Sequence, residues 1–380
     1  MRVYLLVMLV AAAVTFLLTP FARWLAIRTG AVTAVRARDV HTIPTPRLGG
    51  VAMLAGLAAA LLFAAQMPFL EGVFEASDTA WVILGGGAMV CLLGVADDIW
   101  DLDWMTKLVG QVLAAGFMAW QGVQLITIPI GGLTIGSSRL SLIATVLVVV
   151  VAMNAVNFVD GLDGLAAGMV AIGGTGFFVY TYLLTQSASP TDYSNLATVI
   201  VSALVGACLG FLPHNFHPSK IFMGDSGSML IGLTFAAAAI VVTGQIDPSQ
   251  ASGGQSIPAF LPILLPMAVL LLPLLDMGLA VVRRLLAGKS PFHPDRMHLH
   301  HRLLQLGHSH PRAVIIMYLW SAVFSFGAAA LVVAPWRTVV TGLAIAVVVS
   351  IALTLGPLRG RAARTDAIHP AGPTTQGKAP

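Results

Sequence analysis

Apolar residues run along this chain in long blocks, and the polar residues gather in short patches between them. A helix needs about 20 mostly apolar residues to cross a bilayer. Eleven blocks come near that length, at roughly 3–22, 48–66, 79–96, 108–126, 140–153, 164–185, 195–212, 228–243, 258–282, 313–333 and 338–356. The fifth and eighth are short, and loop residues or tilted neighbours must complete them. The first is too long for the h-region of a signal peptide and no small-x-small cleavage site follows it, so it reads as a true span. The ninth carries Pro258, Pro262, Pro266 and Pro273, which predict a bent or broken helix. The pattern predicts an all-α polytopic integral membrane protein with about eleven transmembrane helices.

Composition agrees. The chain is 57% hydrophobic and 9% charged, with a mean hydropathy of +0.89, whereas soluble domains carry roughly 25% charged residues. Cys91 and Cys208 sit inside apolar runs and read as packing residues, with no disulfide framework or metal site behind them. The net charge of +4 does not point to nucleic acid, because the basic residues are spread over many loops. Their distribution follows topology instead. All but Arg2, Arg139 and Arg337 of the 20 basic residues fall on one side of the spans, which puts the N-terminus outside and the C-terminus in the cytoplasm. Residues 1–358 are expected to form one transmembrane domain. Residues 359–380, rich in Ala, Pro, Thr and Gly, read as a disordered cytoplasmic tail.

This orientation collects every polar cluster on the cytoplasmic face. The first inner loop holds Asp-Val-His-Thr-Ile-Pro-Thr-Pro-Arg-Leu-Gly-Gly (39–50), and the second holds Asp97, Asp98, Asp101, Asp103 and Lys107. The third, 154–168, spaces its polar groups by three: Asn154, Asn157, Asp160 and Asp163, with Gly161 and Gly164 after the two acids. Such a series drifts about 60° per step on an α-helix and lines up on a tighter turn, so the four groups are expected to share a broad face. The fourth loop runs Pro-His-Asn-Phe-His-Pro-Ser-Lys-Ile-Phe-Met-Gly-Asp-Ser-Gly-Ser (213–228), and the fifth includes Pro-Phe-His-Pro-Asp-Arg-Met-His-Leu-His-His-Arg-Leu (291–303). Solvated loops would carry such groups on both faces; one site built from five loops explains the asymmetry better.

Several chemistries are open to these residues. Adjacent carboxylates such as Asp97 and Asp98 persist beside a cation or with one of them protonated, which suits a divalent metal or a general base; a solvated helix end is the plain alternative. Asp225, between two glycines before a span, can aim a carboxylate and amides at a phosphate–metal pair, or simply cap a helix. Hard oxygen ligands without a cysteine set favour Mg²⁺ or Mn²⁺ over zinc. The histidines among Arg296 and Arg302 suit phosphate oxygens, and residues 297–306 also fit a short interfacial helix lying against headgroups. Asp276, the one acid well inside an apolar run, reads as functional by default.

Asn-x-x-Asn-Phe-x-Asp-Gly-x-Asp-Gly-Leu-Ala, the Asp-Asp pair, Phe-Met-Gly-Asp-x-Gly-Ser and His-Leu-His-His-Arg-Leu, in this order, resemble the polyprenyl-phosphate N-acetylhexosamine-1-phosphate transferases (glycosyltransferase family 4). The His-x-His-His form and Ile-Pro-Thr-Pro-Arg-Leu-Gly-Gly are similar to the WecA/TagO branch, which uses UDP-N-acetylglucosamine. One departure is clear: the family often has lysines after the Val-His of the first loop, where Thr42 and Ile43 stand here, so such a role passes to Arg47 or Lys107 or is absent.

The resemblance implies transfer of N-acetylglucosamine-1-phosphate from UDP-N-acetylglucosamine to a polyprenyl phosphate, with release of UMP, at the bacterial cytoplasmic membrane by a homodimer. Another UDP-N-acetylhexosamine, or UDP-N-acetylmuramoyl-pentapeptide, is the alternative donor. By carry-over, Asp225 and Asn157 hold Mg²⁺, and Asp97, Asp98, Asp160 and Asp225 are the catalytic acids, with Asp97 or Asp98 orienting or deprotonating the lipid phosphate. Phe222 stacks on uracil, Gly161, Leu162 and Asp163 shape that pocket, and His298, His300, His301 and Arg302 hold diphosphate oxygens. Direct attack and an aspartyl-phosphate route both remain open. A secondary transporter is the rival class. It predicts acids at mid-span and a repeated half, and neither pattern is visible.

Overall fold

The computed structural model describes residues 1–33, 44–126, 137–188, 195–244, 256–288, 290 and 298–368. These form fourteen α-helices in chain order. They are α1 (Arg2–Thr29), α2 (Gly49–Ala65), α3 (Glu71–Glu75), α4 (Thr79–Trp100), α5 (Trp104–Trp120), α6 (Ser138–Val159), α7 (Leu165–Ala188), α8 (Leu196–Asn215), α9 (Gly224–Gly244), α10 (Ser256–Val269), α11 (Leu271–Leu286), α12 (Leu299–Gln305), α13 (His310–Ala330) and α14 (Trp336–Ile368). Among the described residues the only β pairing is one isolated antiparallel bridge, Val32 with Pro46. A helix satisfies its own backbone, so this is what a chain of apolar blocks must form in lipid.

Every apolar block of the sequence coincides with a helix among the described residues. Among the described residues eight helices are long and apolar enough to cross a bilayer alone: α1, α4, α6, α7, α8, α9, α13 and α14. Two bent pairs bring the number to as many as 10. One is α2 with the segment Pro68–Glu75, bent by 89°, and the other joins α10 to α11 at 69°. The remaining block is α5, whose 17 residues stand at the lower limit of length for a crossing. The proline-rich ninth block therefore breaks, as its sequence predicts. The break falls at Leu270, and Pro273 sits in the first turn of α11, where its missing N–H removes no helical bond. The helix α14 runs to Ile368, and the rest of the predicted tail, 369–380, lies outside the described residues.

The most buried spans, α8 and α9, form the middle of the bundle. They pack against one another, and α1, α2, α4, α6 and α7 surround them. Both cysteines are buried and unpaired in this packing. A second apolar cluster, including Val159, Leu162, Leu165, Leu303, Ala313 and Met317, seats the short α12 between the start of α7 and α13. The apolar side of α12 therefore packs on protein, not on lipid headgroups as the sequence suggested. Leu303 is buried, and Leu304 and Leu306 pack against the same cluster. The C-termini of α4 and α6 and the N-termini of α5 and α9 meet at one end of the bundle.

Candidate active site

At that end α4 stops on its acid pair and α9 starts on Gly224. Gly224 has φ +71°, and a Cβ there would collide with the Asp98 carboxylate, so only glycine lets the two elements close. Asp98 consequently sits on the first turn of α9. Its Oδ1 accepts the Asp225 N–H at 3.2 Å, and its Oδ2 accepts the Ser226 hydroxyl at 3.1 Å and lies 3.4 Å from the Ser226 amide. A helix N-terminus offers unpaired N–H groups and a positive field, which suits this buried carboxylate. Arg47 adds a guanidinium 3.8 Å from Asp98 Oδ1, and its Nε is steadied by Thr33 Oγ1 at 2.8 Å. The backbone of Phe222 is tied on both sides to the segment around Arg47, through Pro46 O at 2.8 Å and the Gly49 N–H at 3.1 Å.

The side chain of Lys107 bridges two acids from different helices, 2.8 Å from Asp97 Oδ2 and 2.7 Å from Asp225 Oδ2. It is aimed by its place in the first turn of α5, where Asp103 caps the Met105 and Thr106 amides. Asn157, in the last turn of α6, donates to Asp225 Oδ1 at 3.0 Å and to Ser228 Oγ at 2.9 Å. Asp97, Asp98 and Asp225 each offer an oxygen within 4.8 Å of the others. Asp97 Oδ1 is buried and has no hydrogen-bond partner among the described residues. Three converging carboxylates, one with an open oxygen, are a donor set that fits a small hard divalent cation.

The polar column of the third loop does not share one face, because α6 ends at Val159 and the chain turns. Asn154 points into the bundle and pairs with Gln111 at 2.7 Å, while Asn157 meets Asp225. Asp163 is buried and faces the fourth loop, with its Oδ2 2.7 Å from His217 Nδ1 and 3.1 Å from the Ser219 N–H. Asp160, between them, donates its backbone N–H to the end of α6, while its carboxylate has no hydrogen-bond partner among the described residues. It is half-buried by surface area and lies deep by the density of protein around it. That burial, reinforced by the charges of Asp225 and Asp98, pushes its carboxyl up to about 8. Leu162 is buried in the apolar cluster under α12.

The histidine helix closes over Gly161. The His300 ring occupies the space a Cβ at Gly161 would need, so that loop and α12 approach as closely as glycine allows. His298, His300 and His301 are clustered, with ring centroids 5.6 Å apart for the first two and 4.4 Å for the last two. Burial, aided by neighbouring His301 and His298, pushes the buried His300 down to about 3, and His301 is lowered by burial and His298. These two are therefore neutral rings near pH 7, each with one N–H to donate. Arg302 is exposed and pairs with none of the acids among the described residues. His310 stacks on His217 at 4.4 Å, and His308 bonds Thr354 O at 2.8 Å; His293, Asp295 and Arg296 lie outside the described residues.

Three positions that matter to this geometry were not singled out from the sequence. Asn215 accepts the Gly164 N–H at 3.1 Å and donates to Ile221 O at 3.0 Å, which joins the third and fourth loops. His217 does the same through Asp163, and Ser226 holds Asp98. All three lie inside quoted motifs, and the missing signal was spatial, since their partners are distant in sequence.

The fold and the cluster together define a polytopic helical membrane protein with a lysine-bridged carboxylate site at one end of its bundle. Residues 80–243 match the model of glycosyl transferase family 4. The chain is 47% identical over 367 residues to the decaprenyl-phosphate N-acetylglucosaminephosphotransferase of Mycolicibacterium smegmatis, covering 95% of this chain and 90% of that one. It is 45% identical over 366 residues to the Mycobacterium tuberculosis protein of the same name, with the same 95% and 90% coverage. A probable undecaprenyl-phosphate N-acetylglucosaminyl 1-phosphate transferase of Bacillus subtilis is 30% identical over 325 residues, covering 84% of this chain and 82% of that one. This chain belongs to glycosyl transferase family 4, among the polyprenyl-phosphate N-acetylglucosamine-1-phosphate transferases.

Proposed function

We propose that this protein transfers N-acetylglucosamine-1-phosphate from UDP-N-acetylglucosamine to a polyprenyl phosphate, releasing UMP and leaving a polyprenyl-diphosphate sugar that primes an envelope polysaccharide. The relatives' activities support the reaction, and one observation carries it to these residues: Lys107 joins Asp97 to Asp225 while Asp98 holds the backbone of Asp225. That arrangement concentrates charge where two anionic substrates must meet. An oxygen of the lipid phosphate attacks the sugar-bound phosphorus of the donor, and the bond from that phosphorus to the bridging oxygen of UMP breaks. Such a step depends mainly on positioning and charge stabilisation.

Asp225 and Asn157, with Asp97 and Asp98 beside them, would hold Mg²⁺ or Mn²⁺. When bound, the cation screens the donor diphosphate and the lipid phosphate. Asp160, held protonated near neutral pH, keeps a proton close to the reacting phosphates, while Asp97 or Asp98 orients the acceptor. His298 and the neutral His300 and His301 donate to diphosphate oxygens. Gly161 and Phe222 line the nucleobase side, with the buried Leu162 and Asp163 supporting it from behind.

The acceptor tail has a place to lie. An open apolar groove of about 790 Å³ runs between α5 and α6, lined by Leu108, Leu113, Phe117, Trp120, Ile143 and Leu147. Its lining starts at Leu108, next in sequence to Lys107, which supports a lipid tail lying there with its phosphate toward the acids. The loop charges favour the cytoplasmic side of the inner membrane for this site, where nucleotide sugars are made. A donor panel with purified protein, polyprenyl phosphate and Mg²⁺, scored by UMP release, tests the reading. UDP-N-acetylglucosamine should be consumed and UDP-N-acetylmuramoyl-pentapeptide refused; the reverse preference would reassign the donor.

A further inference from the structure

The active-site cluster leaves one membrane carboxylate unused. Asp276 is 1% exposed, on α11, a helix that carries no residue of the acidic cluster. An acid within a span is costly to bury, so it persists where a partner holds it or a function needs it.

Its surroundings are specific. The buried positions of α11 include Leu272, Asp276, Ala280 and Arg284, one every fourth residue, so they form a single inward stripe. Asp276 Oδ1 accepts the N–H of Leu299, the first residue of α12, at 2.9 Å. Its Oδ2 lies 3.3 Å from His298 Nδ1, a contact without hydrogen-bond alignment that still leaves these two buried polar atoms with only each other to face, so both oxygens face the entry to the histidine helix. The His298 ring meets the Phe158 ring edge-on at 5.5 Å and stacks on His300 at 5.6 Å. Two turns along the stripe, the Arg284 guanidinium covers the same Phe158 ring at 5.6 Å. The stripe thus contacts both the start of α12 and the end of α6.

We propose that Asp276 is a positioning residue for the transferase reaction: it seats the first turn of α12 and turns His298 so that Nδ1 faces the protein and Nε2 faces the substrate. The inference rests on the reading above in which His298 holds the donor diphosphate. An imidazole has two distinct nitrogens, and the one engaged by the protein decides which is left for chemistry. Asp276 touches no substrate; it acts through His298. Displacing a positioned group by a fraction of an ångström to an ångström costs a rate, not a fold.

A double-mutant cycle separates this role from a structural one. Wild type, Asp276→Asn, His298→Ala and the double variant are compared for kcat, for KM of UDP-N-acetylglucosamine, and for thermal unfolding in detergent. Asp276→Asn keeps an acceptor oxygen for Leu299, so its unfolding midpoint stays near that of wild type. Its kcat should fall roughly tenfold or more, and the double variant should be no slower than His298→Ala alone. Losses that multiply in the double variant would show Asp276 acting independently of His298 and overturn the proposal. So would an Asp276→Asn enzyme within about twofold of wild type beside a slow His298→Ala. A fast His298→Ala enzyme would instead remove the histidine from the donor site, and this inference with it. If Asp276→Asn fails to fold, Asp276→Glu, which keeps charge and acceptor, carries the same cycle with the same non-additivity expected.

Discussion

Asp98 and Asp225 lie 127 residues apart in the chain, and the carboxylate of the first accepts the backbone N–H of the second at 3.2 Å. This bond fixes the start of α9 against the end of α4, and it frees the Asp225 side chain to turn the other way. There it meets Lys107 and Asn157 at 2.7 and 3.0 Å. One acid therefore serves as scaffold for another, which divides the cluster into a holding carboxylate and a presented one.

Replacing the presented one should be decisive. Asp225→Asn keeps an oxygen for Asn157 but loses the charge that faces Lys107. Turnover should drop by at least about 100-fold, the scale expected when a charged group at the reacting centre is neutralised. The variant should still insert and elute as a folded protein. UMP release and size-exclusion chromatography check both halves, and near-normal rates would take Asp225 out of the site.

Lys107 is the counterpart. Its side chain is 28% exposed, while Asp97 keeps only 5% of its side-chain surface. Lys107→Gln leaves Asp97 and Asp225 facing each other without a cation. Breaking a fully buried pair costs about 3–5 kcal/mol, and the exposure of Lys107 places this one at or below the lower end. The variant should melt earlier than wild type in the presence of a chelator. Added Mg²⁺ should raise its midpoint more than it raises that of wild type, because a divalent ion replaces the missing charge. Equal shifts in both proteins would argue against a cation at these acids.

Asp160 gives a prediction of opposite sign for stability and activity. Its folded value of about 8 stands above the ordinary 3.8, so the folded protein favours the protonated form and the unfolded chain the ionised one. The resulting penalty is absent below about pH 4, grows as pH rises, and is complete above about pH 8. Asn mimics the protonated acid. Asp160→Asn should therefore stabilise the metal-free protein at pH 7.5 and above while abolishing most of its transferase activity. Thermal midpoints between pH 5 and 9, set beside UMP release, test the pairing; a variant equally stable at every pH, or fully active, would reject it.

How much of this was written plainly in the sequence depends on whether a feature is local. The helices were legible because each apolar block carries its own signal, and the break near Leu270 was legible because the ring of Pro273 cannot continue a helix past the Val269 carbonyl, although Pro20 and Pro213 show that a proline need not end a helix. The acids, amides and histidines of the site were legible as motifs in loops of one charge class. The bridge from Lys107 to both Asp97 and Asp225 was not, since it requires α5 to stand between α4 and α9. The three-residue spacing misled for a related reason. It assumed that one element carries Asn154 through Asp163, whereas α6 ends at Val159 and Asp163 turns to His217. The leucines of α12 were read as lipid-facing because a sequence does not show that Val159 and Ala313 lie beneath them.

The buried histidine of α12 makes the fold itself sensitive to acid. His300 is 2% exposed, its ring fills the space above Gly161, and its folded value is pushed down to about 3 from the ordinary 6.5. The folded protein thus holds it neutral, while the unfolded chain takes up a proton as pH drops below about 6.5. Stability from this group is complete above that value and is lost progressively between about 6.5 and 3. By pH 5 the loss reaches about 2 kcal/mol, the cost of keeping one ring neutral 1.5 pH units below its unfolded value. His300→Gln removes the titration while keeping a polar side chain of similar reach. Wild type should therefore melt at a lower temperature at pH 5 than at pH 7.5, and the gap should narrow in His300→Gln. Every other ionisable group is common to both proteins, so the difference between the two gaps isolates this ring. An unchanged gap would mean that α12 opens to admit a proton without unfolding, and the cleft would then be looser over Gly161 than the contact between ring and backbone indicates.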